Sequence, residues 1–167
     1  MTVLVERELT FEFPAECIAT VFDSVGAVWP KGISPVDFLI ERDSDLLLIE
    51  VKDPSASAAP ASERQSFIRK MQTDELTHQE LVPKARGSWS YLQLMNRTGK
   101  PLRYIVAIGT DALSVQPVLL QNLTDRLKKR LAHEASQAWV KPYITSCVVV
   151  DALSMGHYLP GVKVSRK

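Results

Sequence analysis

Residues 33–53 read ISPVDFLIERDSDLLLIEVKD: two apolar runs separated by the polar link RDSD. Aliphatic and aromatic runs of this length, bounded by turn formers, signal strands, and two of them around a short polar link signal a hairpin. With the turn centred between Asp43 and Ser44, Arg42 opposes Asp45, Glu41 opposes Leu46 and Asp37 opposes Glu50. Directly opposed residues project from one face, with Cβ atoms about 4.5–5.5 Å apart. The strand period of two adds Lys52 to the same face as Glu50. The spacing therefore predicts that Asp37, Glu50 and Lys52 gather on one surface.

Like charges facing each other destabilise a sheet. Leu47, Leu48, Ile49 and Val51 predict a strand buried on both faces, where an unpaired carboxylate costs several kcal/mol or takes up a proton. A divalent cation removes the conflict. Two carboxylates supply hard oxygen ligands, and Mg²⁺ keeps several waters and a substrate phosphate. Lys52 beside the ion would orient or deprotonate a water and offset developing charge. The implied chemistry is metal-assisted phosphodiester hydrolysis. The plainer alternative places Glu50 and Lys52 at a solvated strand end, with Lys52 paired to Asp37 or Asp53.

In these residues the chain resembles the PD-(D/E)xK nuclease, or restriction-endonuclease-like, superfamily. Asp37 stands as the lone acid at a strand start, and Ile49-Glu50-Val51-Lys52 as the apolar-acid-apolar-lysine signature. Pro35 precedes Asp37 with one residue between, so the "PD" is not literal; many members keep only the aspartate. The motif covers residues 35–52, and the predicted element order is similar to the superfamily's αβββαβ core. The resemblance implies that Asp37 and Glu50 hold Mg²⁺ (or Mn²⁺) and that Lys52 serves the water. The carbonyl of Val51 is a further candidate ligand. Some members add an acid from the first helix, for which Glu16 is the candidate; a first-turn acid that favours the helix dipole is the plainer reading. Some branches place a glutamine, with a tyrosine four residues later, on the following helix. Gln65 sits suitably, but position 69 is arginine, so Gln65 reads better as a helix-capping residue.

The rest of the chain frames this hairpin. Its 167 residues suit one domain. A composition 46% hydrophobic and 23% charged is ordinary for a globular protein. No run approaches the ~20 apolar residues of a membrane span, and the acidic, alternating MTVLVERELTFEF is no signal peptide. Cys17 and Cys147 match no zinc or redox spacing, which points to a reducing, cytoplasmic setting. His78, His133 and His157 form no ligand pair. Nucleotide-binding glycine motifs and a G-x-S-x-G elbow are missing from the sequence. A net charge of +1 means that any nucleic-acid binding rests on local charge.

ELTFEF alternates like a half-buried strand. PAECIATVFDSVGAVW (14–29) places Cys17, Ile18, Val21, Phe22 and Val25 at helical spacing. PSASAAPAS (54–62) reads as a mobile loop, and Ser62 with Gln65 as a capping box opening a helix over 63–76. A second helix after Pro83 carries Trp89, Leu92 and Met95 and stops near Gly99. LRYIVAIG (102–109) and YITSCVVV (143–150) read as buried strands flanking a helix over 117–136, faced by Leu120, Leu123, Leu127 and Leu131. A helix between two such strands implies a parallel pair. The expected fold is α/β, a mixed sheet with helices on both faces, and residues 160–167 form a basic, loosely held tail.

Arg64, Arg69, Lys70, Lys128 and Lys129 are candidates for tracking a nucleic-acid backbone. Solvated helix faces explain them more plainly, with Asp125 supporting Lys129 at i, i+4. KARGSW (84–89) brings Lys84, Arg86 and an aromatic residue together. The sequence thus points to a divalent-metal-dependent nuclease acting on DNA or RNA, with DNA ranked first and no membrane partner. The size leaves little room for a separate sequence-reading domain and suggests a homodimer or a partner subunit. The alternative is a catalytically inactive nuclease-fold protein serving as a nucleic-acid-binding or assembly subunit, favoured by near-neutral charge and missing auxiliary motifs. A third option is an unrelated α/β interaction domain with a coincidental hairpin.

Overall fold

The computed structural model describes residues 1–24, 26–134 and 136–167. Thr2–Glu6 (β1) and Leu9–Phe13 (β2) form an antiparallel hairpin. Leu9, Phe11 and Phe13 turn inward and are buried, as the alternation in ELTFEF predicts. Ile18–Val21 (β3), Phe38–Glu41 (β4) and Leu46–Lys52 (β5) form an antiparallel meander. Ala61–Gln72 (α1), a π-helical stretch over Thr77–Leu81, and Val82–Leu94 (α2) then lead to Leu102–Ile108 (β6). Pro117–Ala132 (α3) and the two-residue strands His133–Glu134 (β7) and Gln137–Ala138 (β8) precede Ser146–Asp151 (β9). A 3₁₀ helix over Ala152–His157 and Lys163–Arg166 (β10) complete the chain.

The hairpin has the register its sequence predicts: Phe38 opposes Ile49, and Glu41 opposes Leu46. The main sheet runs β3-β4-β5-β6-β9, with β5, β6 and β9 parallel, and is flanked by helices in a mixed α/β fold. Leu39, Leu46, Leu48, Tyr104 and Val106 on one face pack with Met71, Leu81, Leu92 and Leu127 from the helical layer. The other face is not layered with α-helices as expected. Phe38, Ile40, Leu47 and Ile49 pack there with Phe11 and Phe13 of a small β1-β2-β10 sheet and with Met155 of the 3₁₀ helix.

Other expectations are corrected. The segment predicted as a helix over 14–29 holds β3, so among the described residues the first helix of the αβββαβ order is missing and a strand opens the meander. Ile18, Thr20 and Val21 are β-branched, which favours extended backbone, and Ile18 and Val21 are exposed rather than facing a core. Val25, the last residue of the predicted stripe, lies outside the described residues. The tail at 160–167 is no loose end: β10 pairs with β2. The loop at 54–62 is tied down. Ser55 donates its hydroxyl to the Gly109 carbonyl (2.7 Å), and the Glu8 carboxylate accepts the Ser57 amide (2.9 Å). α1 has Pro60 at its N-cap and no side-chain cap, so Ser62 and Gln65 form no capping box. Met95 is exposed past the end of α2. α3 stops at Ala132 instead of 136; Ala135, within the predicted remainder, lies outside the described residues. Among the described residues no helix is long and apolar enough to cross a membrane.

Candidate active site

β5 runs past the end of β4. The ladder stops at Phe38 and Ile49, so Glu50, Val51 and Lys52 continue without a β4 strand partner. Asp37 takes over at that point, its Oδ2 accepting the Val51 amide at 2.6 Å. Leu46 and Leu48 pack in the helical core, and the period of two carries Glu50 and Lys52 onto that same face. Asp37 and Glu50 are both buried, Glu50 to 1% exposure.

Three helical side chains complete the arrangement. The π-helical stretch adds a residue to its turn, which re-aims side chains relative to an α-helix. From it Glu80 reaches Lys52: its Oε2 lies 2.9 Å from Lys52 Nζ, and its Oε1 lies 3.0 Å from Lys70 Nζ. Lys52 Nζ is also 3.0 Å from Glu50 Oε1. From the first turn of α2, Lys84 Nζ stands 3.2 Å from Glu50 Oε2 and 3.6 Å from Asp37 Oδ1. That oxygen of Glu50 is buried and has no hydrogen bond, so its approach to Lys84 is a contact of charges alone. A cleft of about 510 Å³ opens over these groups. Its α1 wall holds Ser62 and the i, i+3, i+4, i+7 stripe of Glu63, Ser66, Phe67 and Lys70.

The electrostatics follow from burial and crowding. Burial, then the charge of Asp37, pushes the Glu50 carboxyl up to about 7 against the pull of Lys52 and Lys84. For Lys52 burial favours the neutral amine, but Glu50 and Glu80 together outweigh it and raise the ammonium's pKa. Glu80 is lowered despite its burial, because Lys52 and Lys70 hold its charge. Asp23 and Glu6 are both raised, first by burial and then by the charge of Asp37, which places two further acids within its field.

The donor set fits a hard divalent cation. It offers two buried carboxylates, one oxygen of which lacks a hydrogen bond. Lys52 turns its carbonyl to β6, where the Gly109 amide donates to it (2.8 Å); alternation along the strand turns the Val51 carbonyl to the β4 side. Among the described residues no three acids, histidines or cysteines converge on one point. Few protein ligands with several waters is the habit of Mg²⁺.

The structure brings Asp37, Glu50, Val51, Lys52 and Lys70 together around the cleft and leaves the other candidates outside its lining. Glu16 is exposed in a turn, on no helix. Gln65 is exposed on α1 beside the cleft-facing stripe. Arg64 folds back onto the Ala56 carbonyl (3.4 Å), and Arg69 stands 3.8 Å from Glu75. Lys128 and Lys129 are exposed on α3, which packs over β9, two strands from β5. Glu80, Lys84, Asp23 and Glu6 escaped the sequence reading as site residues. Glu80 and Lys84 stand four apart, so they look like an ordinary surface pair of one helix. Comparison of the chain with protein-family models, with curated proteins and with solved structures gave no match.

Proposed function

We propose that this protein is a divalent-metal-dependent nuclease hydrolysing phosphodiester bonds of DNA or RNA on a restriction-endonuclease-like core. One observation carries the reading: buried Asp37 and Glu50 meet Lys52 just past the end of the β4–β5 ladder, and a Glu50 oxygen is left without a hydrogen bond in the cleft lining. The β3-β4-β5 meander, followed by helices and the parallel β6, agrees with the βββαβ part of that core.

Asp37, Glu50 and the Val51 carbonyl would hold Mg²⁺ or Mn²⁺, which when bound supplies Lewis-acid polarisation of the phosphate and an acidified water. Asp37 is fixed for this by the Val51 amide. Lys52, anchored between Glu50 and Glu80, presents a positive charge that orients the water and offsets charge gathering on the phosphoryl oxygens. Arg7, Lys70 and Lys84 are the further cations available to a polyanionic backbone in a cleft that also carries Glu6, Asp53, Glu63 and Glu80, so the bound cation would have to offset an acidic lining.

A second reading, a binding or assembly subunit that has kept the fold without the activity, draws on the Lys84 ammonium lying between the two acids. Thermal unfolding with added Mg²⁺ or Mn²⁺ tests for the site: the wild type should be stabilised and Asp37→Asn should not. Incubation with labelled single- and double-stranded DNA and RNA then separates the readings. Metal-dependent cleavage abolished by Lys52→Ala supports the enzyme, whereas metal binding without cleavage of any of the four supports the subunit.

A further inference from the structure

We infer, building on the metal reading above, that Lys84 is a resident counterion of the cation seat: its ammonium holds Asp37 and Glu50 together in the metal-free protein and must leave when a divalent ion enters. Lys84 Nζ addresses one oxygen of each carboxylate, 3.6 Å from Asp37 and 3.2 Å from Glu50. The other Asp37 oxygen is taken by the Val51 amide, and the other Glu50 oxygen by Lys52. The lysine therefore stands between one oxygen of each buried carboxylate, while Asp23 makes a further side-chain hydrogen bond with Asp37. A Mg²⁺ ion sits about 2.0–2.1 Å from its oxygens, so an ammonium left against the same atoms would stand close to a double positive charge in a half-buried site.

The anchoring of Lys84 suits displacement. Its helix packs tightly: three residues on, Gly87 lies so close to Ser34 that a Cβ there would come within 2.7 Å of the Ser34 carbonyl oxygen. Next to it, the Ser88 hydroxyl accepts the Val36 amide at 2.9 Å. The flexible four-carbon stem is thus the only part that need move. Lys84 also lines the cleft with Lys70, so the released ammonium swings toward the space a substrate phosphate would enter. Metal and polyanion then bind cooperatively. The ion frees the lysine, the phosphate receives it, and linkage requires each ligand to strengthen the other equally.

Calorimetric titration of the full chain with Mn²⁺ alone tests this on wild type and Lys84→Met. The variant should bind Mn²⁺ about tenfold more tightly, within the ordinary range of coupling between two competing occupants. Adding a phosphorothioate oligonucleotide should tighten Mn²⁺ binding severalfold in the wild type and leave the variant unchanged. Equal or weaker Mn²⁺ binding by the variant overturns the counterion role while the metal site stands. Absence of Mn²⁺ binding in both proteins overturns the metal site and this role with it. Should Lys84→Met not fold, the wild type decides. Acetylation of Lys84 by an N-hydroxysuccinimide ester, followed by mass spectrometry, should accelerate severalfold at saturating Mn²⁺, and an unchanged rate with Mn²⁺ bound overturns the inference.

Discussion

The amide of Val51 donates to Oδ2 of Asp37 across 2.6 Å, so a side chain extends the β4–β5 ladder by one bond after the β4 backbone has turned away. Asp37 therefore has two duties. It satisfies a buried donor on the strand that carries Glu50 and Lys52, and its second oxygen lies 3.6 Å from the Lys84 ammonium.

Substitution separates those duties. Asp37→Ala strands the Val51 amide and should lower stability by about 1–3 kcal/mol, the usual penalty for an orphaned buried donor. Asp37→Asn keeps an acceptor for that amide and should recover most of the loss, yet remain without stabilisation by Mn²⁺. Urea unfolding of the three proteins, with and without Mn²⁺, measures both effects. Equal stability of the alanine and asparagine variants would show that the bond contributes nothing.

The raised carboxyl of Glu50 makes the metal-free protein sensitive to pH in an unusual direction. A carboxyl at about 7 in the folded state and 4.5 in the unfolded state binds more protons when folded between those values. Its contribution is complete below pH 4.5 and is lost as pH rises through 7. A shift of this size is worth about 3 kcal/mol. Urea midpoints of the metal-free protein should fall from pH 5 to pH 8, and Glu50→Gln should flatten the slope. Mn²⁺ affinity should rise over the same interval, because the ion requires the carboxylate. A midpoint that rises with pH in the wild type would refute the assignment.

The hairpin was legible because two independent periodicities agree there. The turn fixes the register, and alternation fixes the face, so the positions of Asp37, Glu50 and Lys52 follow from the chain alone. Around Ile18 they did not agree: Cys17, Val21 and Phe22 fit a helical stripe as well as a strand. The decision fell to tertiary pairing with β4, which local propensity does not encode. Lys163–Arg166 carries one partly buried valine and three polar residues, too weak an alternation to announce β10. Glu80 and Lys84 were illegible for a different reason. Their aim depends on one inserted residue in the π-helical stretch, which nothing in THQEL marks.

Packing of α2 against the segment before Asp37 gives a test of how the site is held. A Cβ at Gly87 would lie 2.7 Å from the Ser34 oxygen and 2.9 Å from its nitrogen, both backbone atoms that cannot step aside. Alanine is worth up to about 1 kcal/mol over glycine in a helix, but overpacking of this kind costs about 1–3 kcal/mol. Gly87→Ala should therefore be destabilising on balance, while Gly99→Ala, with nothing within 4 Å of its Cβ, should be near neutral. Urea midpoints for the two variants decide it; a Gly87→Ala protein as stable as the wild type would mean that α2 slides freely.

Arg166, in the strand that the sequence presents as a tail, closes the far end of β5. Its guanidinium donates to both oxygens of Asp53 at 2.9 and 2.8 Å and to both oxygens of Asp111 at 2.7 and 2.6 Å. Asp53 directly follows Lys52, and its side chain is fully buried. Removing the arginine leaves that carboxylate without its counterion, a change that costs about 3–5 kcal/mol when the charge is buried. Lysine should rescue little, because a point charge cannot reproduce two forked pairs. Deletion of residues 163–167 should do more damage still, since it also strips β2 of its β10 partner. Chemical denaturation of Arg166→Ala, Arg166→Lys and the truncated chain orders the three losses. A truncated protein with the wild-type midpoint would return these residues to the status of a dispensable tail.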